Sequence, residues 1–380
     1  MTFDVLRLGR GLAILTVLAL LASLLLAGTA VARPVQPSQK SSTSWAWLTD
    51  QNPNDVHTYT PAAVDQGNSS GGTNTVKYKG TGRYYVTMAG VGATGGVVNV
   101  TPLGSAARLC NMSGWGAVGA NEYAYVQCSK LNGALAASRF VVTFLAASGD
   151  VGNLAYLLLD SPGATDSTPS ATWSYNSTGG INTAHRISAG RYVFTLPNVG
   201  SNHGNVIVTA YYRLGQRGVD SAAPATATTY MSICSVFSWG GSPNLSVTVD
   251  CDDPSGAPID TAVNLIYTLD AGLKGFGGQR VAYLWADEKS AATYTPDTNY
   301  QYSSAASSAQ ITRQGPGRYT VTLAGMPKGG AAEVATYGFP NRACQVGSIR
   351  TSGTPQMIQV LCFDLAGHPK DAQYTLAYER

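Results

Sequence analysis

The sequence has little charge, few histidines and no second long apolar run, and each shortage excludes a class of function. Only 12% of its 380 residues are charged, whereas about a quarter is usual in soluble proteins. The net charge is +3, and no cluster of Lys or Arg stands out. Because binding to phosphate backbones needs clustered cations, we expect no nucleic-acid partner.

The sequence also has few of the residues and motifs that catalytic and metal centres need. The four histidines occupy unrelated positions: His57, His185, His203 and His368. Structural zinc needs four close ligands, a redox centre typically uses C-x-x-C, and a Ser-His-Asp triad needs a positioned histidine. Asp250, Asp252 and Asp253 are a calcium candidate, but they lack the spacing of a calcium loop. We therefore predict no cofactor, metal or catalytic residue, with an extracellular glycan-active hydrolase as an alternative.

The N-terminus has the layout of a secretory signal peptide over residues 1–32. Arg7 and Arg10 precede an uncharged, leucine-rich run, and the small residues 30–32 suit cleavage. An uncleaved signal anchor is the alternative, since the run is long enough to span a bilayer. A signal peptide and a signal anchor would both carry the rest of the chain across the membrane. We therefore predict a secreted or cell-surface protein with a flexible leader at 33–45. Membrane contact is expected only through an uncleaved anchor.

Three segments of the chain match one another at many fixed offsets. Each begins with Ala-aromatic-Leu, continues to a Gly-Arg-Tyr triplet, and then has two cysteines separated by 18, 17 or 18 residues. The triplets begin at Gly82, Gly190 and Gly317. These offsets predict three homologous modules, which we call repeat 1 (46–146), repeat 2 (155–269) and repeat 3 (282–380).

Repeat 2 carries an insertion between its triplet and its first cysteine. This interval spans 44 residues, against 28 and 27 in repeats 1 and 3, and the surplus falls at 213–229. A long loop on a rigid scaffold is a common place for binding function, but long surface insertions also cost little stability. The insertion is therefore open to either interpretation.

Alternating apolar and polar residues predict strands throughout the repeats. After the third triplet begins, Tyr319, Val321 and Leu323 alternate with Arg and Thr, which is the pattern of a half-buried strand. The glycine of each triplet is expected to supply a turn with positive φ. We expect six to eight short strands per repeat and no amphipathic helix. The predicted fold is all-β, with three tandem β-sandwich modules of Ig-like or jelly-roll type.

The six cysteines, two in each repeat at constant spacing, predict disulfides in an exported chain. Each pair flanks a turn between two apolar stretches, so a hairpin would bring the two sulfurs together. The predicted pairs lie within repeats: Cys110–Cys128, Cys234–Cys251 and Cys344–Cys362. A loop of this size contributes roughly 3 kcal/mol by restricting the unfolded chain.

Two other recurring side chains are interpreted structurally. Five residues after each first cysteine stand Trp115, Trp239 and Ile349. The aliphatic replacement in repeat 3 favours packing over the disulfide rather than a ligand platform. The triplets supply Arg83, Arg191 and Arg318. Strand arginines usually cover neighbouring side chains with their stems, which we favour over a repeated anion site.

The Ala-aromatic-Leu opener followed by a G-x-Y-x-[VF] strand resembles the jelly-roll pattern of the C1q/TNF family over part of one repeat. Short cystine-bearing β segments behind a signal peptide, rich in Ala and Gly, are also similar to secreted bacterial proteins. Neither resemblance assigns a functional residue to this chain.

The function predicted from these features is non-catalytic recognition of an extracellular polysaccharide or cell-envelope polymer. Aromatic side chains suit sugar rings, and the sequence has 21 tyrosines. The candidate binding residues are Tyr211, Tyr212, Arg213, Arg217, Tyr300 and Tyr302. A structural or adhesive spacer protein is the alternative.

Overall fold

Nine β-strands form in each repeat, and no α-helix occurs in the residues that the structure describes. The computed structural model describes residues 43–54, 57–148, 151–212, 231–273, 280–338, 341–350 and 352–380. The predicted signal peptide, most of the leader and the insertion at 213–229 lie outside them. The all-β prediction is confirmed, with a single 3-10 turn at Thr298–Tyr300. Over the same ranges, no helix has the length and apolarity to cross a membrane.

The strands follow one another in the same order in the three repeats. Repeat 1 contains β1 Ser44–Thr49, β2 Thr58–Tyr59, β3 Gln66–Asn68, β4 Asn74–Gly80, β5 Arg83–Met88, β6 Val97–Leu103, β7 Leu109–Val118, β8 Asn121–Ser129 and β9 Arg139–Ala146. Repeat 2 contains β10 Asn153–Leu159, β11 Asp166–Ser167, β12 Ser174–Asn176, β13 Thr183–Ser188, β14 Arg191–Leu196, β15 Asn205–Tyr211, β16 Ile233–Gly240, β17 Leu245–Asp252 and β18 Ala262–Leu269. Repeat 3 contains β19 Val281–Ala286, β20 Thr293–Tyr294, β21 Gln301–Ser303, β22 Ala309–Gly315, β23 Arg318–Leu323, β24 Ala331–Tyr337, β25 Arg342–Ile349, β26 Gln356–Asp364 and β27 Gln373–Glu379.

The expected count of six to eight strands per repeat is wrong by at least one. Two strands in each repeat have only two or three residues, as in β2 and β3. Alternation over so few residues gives no detectable period, so these strands leave no sequence signal.

The strands form three nine-stranded sheets, and each sheet combines two repeats. The 1–2 sheet has the order β12-β10-β18-β15-β7-β8-β5-β4-β2. The 2–3 sheet has the order β11-β13-β14-β17-β16-β24-β27-β19-β21. The 3–1 sheet has the order β20-β22-β23-β26-β25-β6-β9-β1-β3. Each repeat thus gives five strands to one sheet and four to another, and the three sheets connect the repeats in a closed ring.

One parallel bridge joins the two halves of every sheet. The bridged pairs are Tyr211–Met112, Tyr337–Val236 and Leu103–Val346. The residue after each bridge donates its backbone N–H to the other repeat: Tyr212 to Met112 at 2.7 Å, Gly338 to Val236 at 2.8 Å, and Gly104 to Val346 at 2.9 Å. The equivalent strands β6, β15 and β24 also contact one another in pairs. The ring therefore has pseudo-three-fold symmetry, with these strands around its axis.

A separate cluster of buried side chains lies mainly within each repeat, between halves of two sheets. In repeat 1 it includes Tyr84 and Val86 from β5 and Phe140 and Val142 from β9. The clusters also take residues from neighbouring repeats, and the buried Val151 between repeats 1 and 2 belongs to the repeat 2 core. This arrangement is β-sandwich-like, and the buried side chains of β5, β14 and β23 are those that the alternating sequence pattern predicts.

The triplet glycine holds the turn into β5, β14 and β23. Gly82, Gly190 and Gly317 have φ of 67°, 69° and 62°. A Cβ atom would lie 2.2–2.3 Å from the carbonyl oxygen of the second cysteine of the same repeat. The glycine carbonyl also accepts a hydrogen bond from that cysteine's N–H at 2.7–2.8 Å. The predicted positive φ is therefore present, and the same contact between triplet glycine and second cysteine occurs in all three repeats.

The three disulfides are the pairs that the spacing predicts. They join Cys110 to Cys128, Cys234 to Cys251, and Cys344 to Cys362. In each case the two cysteines lie directly opposite each other on antiparallel strands. Each bond therefore fastens the long hairpin of its own repeat.

The triplet tyrosine in repeats 2 and 3 belongs to a polar network beneath this turn. Asp260 accepts hydrogen bonds from the Tyr192 hydroxyl at 3.0 Å, the Gly190 N–H at 3.0 Å and the Arg186 guanidinium at 2.8–3.0 Å. Asp371 has the equivalent partners in repeat 3. The Arg186 hydrogen bonds lower the pKa of Asp260.

We expect Asp260→Asn to lower the free energy of unfolding by about 2 kcal/mol at pH 7, because it weakens charge-assisted hydrogen bonds. A lowered folded-state pKa gives stability above the unfolded pKa that is lost as the pH falls, so the difference should shrink at pH 3. Urea unfolding at both pH values measures this. Asp166→Asn, in an exposed pair with His185 at 2.7 Å, is the control and should change stability by less than about 1 kcal/mol. If the difference in unfolding free energy between the unchanged protein and Asp260→Asn were the same at pH 3 as at pH 7, this role of the Asp260 charge would be contradicted.

Candidate functional site

Two of the predicted binding tyrosines lie in aromatic clusters at the joints between repeats. Tyr211 contacts Trp115 of repeat 1, with ring centroids 5.3 Å apart, and Trp115 also contacts Trp173 at 5.0 Å. Both contacts are edge-to-face, and Trp115 is buried. These rings fill the joint between repeats 1 and 2, so Tyr211 is held in packing.

Tyr300 occupies the matching cluster at the joint between repeats 2 and 3. Its ring lies 5.7 Å from Trp239 and 5.1 Å from Trp285. Tyr337 is 5.2 Å from Trp239 and 4.8 Å from Trp285. All of these contacts are again edge-to-face, which is a favourable packing geometry for aromatic rings. The four rings of the cluster are half-buried and are held in contact with one another.

These contacts revise the interpretation of the tryptophans. The rings of Trp115 and Trp239 contact aromatic side chains of the next repeat, and the cross-strand partner of Trp115 is Ala124, farther along the hairpin than Cys128. Ile349 belongs to the repeat 3 core cluster, which also includes Trp47, Leu103 and Val141 of repeat 1. In repeats 1 and 2, the position five residues after the first cysteine therefore contributes a ring to the joint with the next repeat.

The other predicted binding residues form no common site in the described ranges. Tyr302 stacks on Tyr283, with centroids 5.7 Å apart and planes 29° from parallel. Tyr212 follows the bridge at the joint between repeats 1 and 2. Arg213 and Arg217 lie outside the described residues.

A different group of tyrosines lies on the outward surface of the 1–2 sheet. Tyr85 on β5 pairs across the sheet with Tyr125 on β8, and Tyr123 lies diagonally beside them. The Tyr85 and Tyr123 rings are stacked at 5.1 Å with planes 29° apart, and the Tyr125 ring meets Tyr85 edge-on at 4.7 Å. All three are half-buried, and they alternate with core residues such as Tyr84 and Val86. We call this surface the tyrosine face.

Glycines leave space beside the tyrosine face on the neighbouring strand β7. Gly114 is the cross-strand partner of Tyr125, and Gly116 is the partner of Tyr123. A Cβ on Gly116 would meet no heavy atom within 4 Å, and one on Gly114 would meet only the Tyr125 ring, at 3.5 Å. The Tyr125 ring therefore lies against the buried Gly114, while beside the half-buried Gly116 no side chain fills the space that a Cβ would enter.

The positions of repeats 2 and 3 that are equivalent to these tyrosines carry no aromatic side chain. The register places Val193 opposite Thr248 in repeat 2, where repeat 1 has Tyr85 and Tyr125. It places Thr320 opposite Gln359 in repeat 3. Because the backbone is shared, the tyrosines are not required by the strand structure, which points to a role particular to repeat 1.

The triplet arginines do not form a common anion site. Arg191 is ion-paired with Asp250, at 2.6 Å from Nε to Oδ1, and its guanidinium lies 4.8 Å from the Phe237 ring centre. Arg83 and Arg318 lie opposite Gln127 and Leu361. The arginines thus have three different environments.

A small polar cavity lies on the pseudo-three-fold axis. Its volume is about 60 Å³, and it is lined by the first cysteine of every repeat and by Asn111, Thr209 and Ser232. Ligand pockets usually have several hundred Å³, so this cavity is too small for a sugar. Within the described ranges, no group of three or more His, Cys, Asp or Glu residues is arranged to hold a metal ion.

The tyrosine face was not among the residues predicted from the sequence, although a signal was present. On β8, the buried Ala124 and Val126 alternate with Tyr123 and Tyr125, so the two tyrosines occupy positions that face outward. Outward aromatic residues at such positions are informative because polar residues are the usual occupants.

Comparison with known proteins finds no relative of this chain. No protein-family model, no curated protein and no solved structure matches it. The function must therefore be inferred from the chemistry of the tyrosine face.

Proposed function

We propose that this protein is a secreted or cell-surface binding protein of three β-sandwich modules that recognises a glycan or cell-envelope polymer without catalysis. The binding site is the tyrosine face, formed by Tyr85, Tyr123 and Tyr125. The observation that carries the proposal is the grouping of three outward tyrosines beside the open space at Gly116.

The chemistry of tyrosine supports binding to sugars. A tyrosine ring offers a large, rigid apolar surface at low entropic cost, and its hydroxyl supplies hydrogen bonds at the edge. Sugar rings have apolar C–H faces and hydroxyl rims, which complement that arrangement. The open space at Gly116 leaves room for a polymer beside the rings.

The export pattern and the disulfides support an extracellular location. The signal-peptide pattern at residues 1–32 precedes a chain in which all six cysteines are paired. Disulfides persist in oxidising compartments and are rare in the cytosol.

Polysaccharide binding by the exported chain tests this function. Cosedimentation with cellulose, chitin and peptidoglycan sacculi, and affinity electrophoresis in gels containing soluble polysaccharides, should reveal a bound polymer. Tyr85→Ala should weaken that binding about thirty-fold, because central tyrosines at binding surfaces contribute about 2 kcal/mol. Isothermal titration measures the change.

Matched substitutions in repeat 2 control for general effects. Val193→Ala and Thr248→Ala change the same backbone positions as Tyr85 and Tyr125 and should leave the affinity unchanged. Circular dichroism and urea unfolding check that the variants fold. Binding that persists in a Tyr85→Ala, Tyr123→Ala, Tyr125→Ala variant, or no binding to any polymer, would overturn the proposal.

A structural or adhesive spacer is the second candidate, because of the closed ring of sheets. Every joint has a strand bridge and an adjacent backbone hydrogen bond. A ring joined in this way would act as a rigid spacer that holds a binding surface in a fixed orientation. This role predicts no polysaccharide binding and no effect of the tyrosine substitutions on attachment.

A further inference from the structure

We propose that the polymer bound at the tyrosine face is an acidic polysaccharide whose sugar rings carry carboxylates, which Lys77 and Lys79 bind. This inference rests on the proposed function, since it names the chemical class of polymer for the same site.

Both lysines stand next to the tyrosine rings and are exposed to solvent. Lys77 on β4 is the direct cross-strand partner of Tyr85. Lys79 lies at the bulge between β4 and β5, and its Nζ is 6.0 Å from the centre of the Tyr85 ring. A sugar ring packed against these tyrosines would therefore have two ammonium groups at its edge.

Within β4, β5 and β8, no carboxylate balances the positive charge at the outward surface. The outward positions of these strands hold Thr, Lys, Arg, Tyr, Asn, Gln and Ser side chains, with no Asp or Glu. Glu122 is on the inward phase of β8 and is buried, and the Ala93 N–H donates to it at 3.2 Å. Burial raises the pKa of Glu122 to about 8, so it adds little negative charge at pH 7.

The equivalent surface of repeat 2 shows the contrast. His185 takes the place of Lys77 there and contacts Asp166 at 2.7 Å. Arg191, the equivalent of Arg83, is paired with Asp250. Among the described residues, the structure records an ion pair for Arg191 but none for Lys77, Lys79 or Arg83. No described carboxylate thus competes with an external anion for the cations beside the tyrosines.

A carboxylated sugar matches both features at once. A uronate ring has a C–H face for the tyrosines and a carboxylate attached to the same ring for a lysine. A polyol phosphate chain supplies the negative charge but no pyranose face. The side-by-side placement of rings and ammonium groups therefore favours a uronate polymer over a phosphate polymer.

The test measures binding of the exported chain to polygalacturonate and to the same polymer after methyl esterification, which removes the charge. We expect the acidic form to bind at least ten-fold more tightly at low salt. A Lys77→Gln, Lys79→Gln variant should lose about ten-fold in affinity for the acidic form, since two exposed ion pairs contribute about 1 kcal/mol or slightly more together. Raising the salt concentration should remove most of that difference.

A variant with the same net charge gives the matched control. Lys130 and Lys370 are exposed and lie outside the tyrosine face, so Lys130→Gln, Lys370→Gln should bind like the unchanged protein. Equal binding of the acidic and esterified polymers, or tighter binding to a polyglycerol phosphate, would overturn the carboxylate assignment. If Tyr85→Ala still abolished binding in that case, the glycan function itself would stand. If Tyr85→Ala bound every polymer normally, both proposals would fall.

Discussion

Replacing Glu333 with glutamine should make the protein more stable at pH 9 by about 4 kcal/mol, while leaving its stability at pH 5 nearly unchanged. Glu333 lies on β24, near the pseudo-three-fold axis, with only 1% of its surface exposed. Burial raises its pKa from 4.5 to about 8. Each unit of pKa difference between folded and unfolded states corresponds to about 1.4 kcal/mol.

The sign of this stability change follows from the linkage between proton binding and folding. Below pH 4.5 the carboxyl is protonated in both states, so it does not affect the pH dependence. Between 4.5 and about 8 the unfolded chain releases the proton while the folded chain keeps it, so stability falls as the pH rises. Glutamine cannot release this proton, and its amide preserves the size of the side chain.

Burial of Glu333 outweighs the hydrogen bonds that its carboxyl receives. The Thr101 hydroxyl of repeat 1 donates to one carboxyl oxygen and Thr143 provides another hydrogen bond, and both lower the pKa by less than burial raises it. The other carboxyl oxygen has no hydrogen-bond partner, and the nearby Glu379 adds negative charge that also raises the pKa. The described neighbours of Glu333 thus offer hydroxyl groups and an acid, but no cation.

Urea unfolding from pH 5 to pH 9 measures the effect. Glu288→Gln, at an exposed position, serves as the control and should follow the unchanged protein at every pH. Parallel curves for Glu333→Gln and the unchanged protein would show that Glu333 is ionised in the folded state.

Substituting Gly82 with alanine should cost about 3–5 kcal/mol of unfolding free energy. Its φ of 67° is unfavourable for alanine, and a Cβ atom would lie 2.2 Å from the Cys128 carbonyl oxygen. That oxygen is backbone next to a disulfide, so it cannot move aside as a flexible side chain would. The cost therefore combines backbone strain with overpacking.

Gly119 separates the two contributions. It has a φ of 60°, but a Cβ there would meet no heavy atom within 4 Å. Gly119→Ala should therefore cost only about 1–2 kcal/mol, from the backbone conformation alone. Chemical unfolding of both variants measures the difference. Equal losses would mean that the close approach to Cys128 does not limit this position.

Much of the local structure could be predicted from the sequence because it depends on short-range patterns. The alternation in Tyr319, Val321 and Leu323 specified the buried face of β23, and all three side chains are buried. Cysteine spacing identified pairs such as Cys110–Cys128, because a hairpin places such residues opposite each other. Each of these inferences needed only neighbouring residues within one repeat.

The sharing of sheets between repeats could not be predicted from such patterns. The joint depends on single bridges such as Tyr211–Met112, which join residues far apart in the chain and leave no period. The sequence identified Tyr211 and Tyr300 as aromatic, but only the fold shows that they pack at joints. The same limit applies to the tyrosine face, because Tyr85 and Tyr125 become neighbours only once β5 pairs with β8.

The closed ring also limits how this architecture can change in evolution. In an open row of repeats, another copy can be added at either end, whereas here the first and last repeats already share a sheet. A fourth copy would have to break an existing joint and widen the centre around β6, β15 and β24. The number of copies is thus set by geometry at three, as it would be in a trimer whose subunits had been fused into one chain.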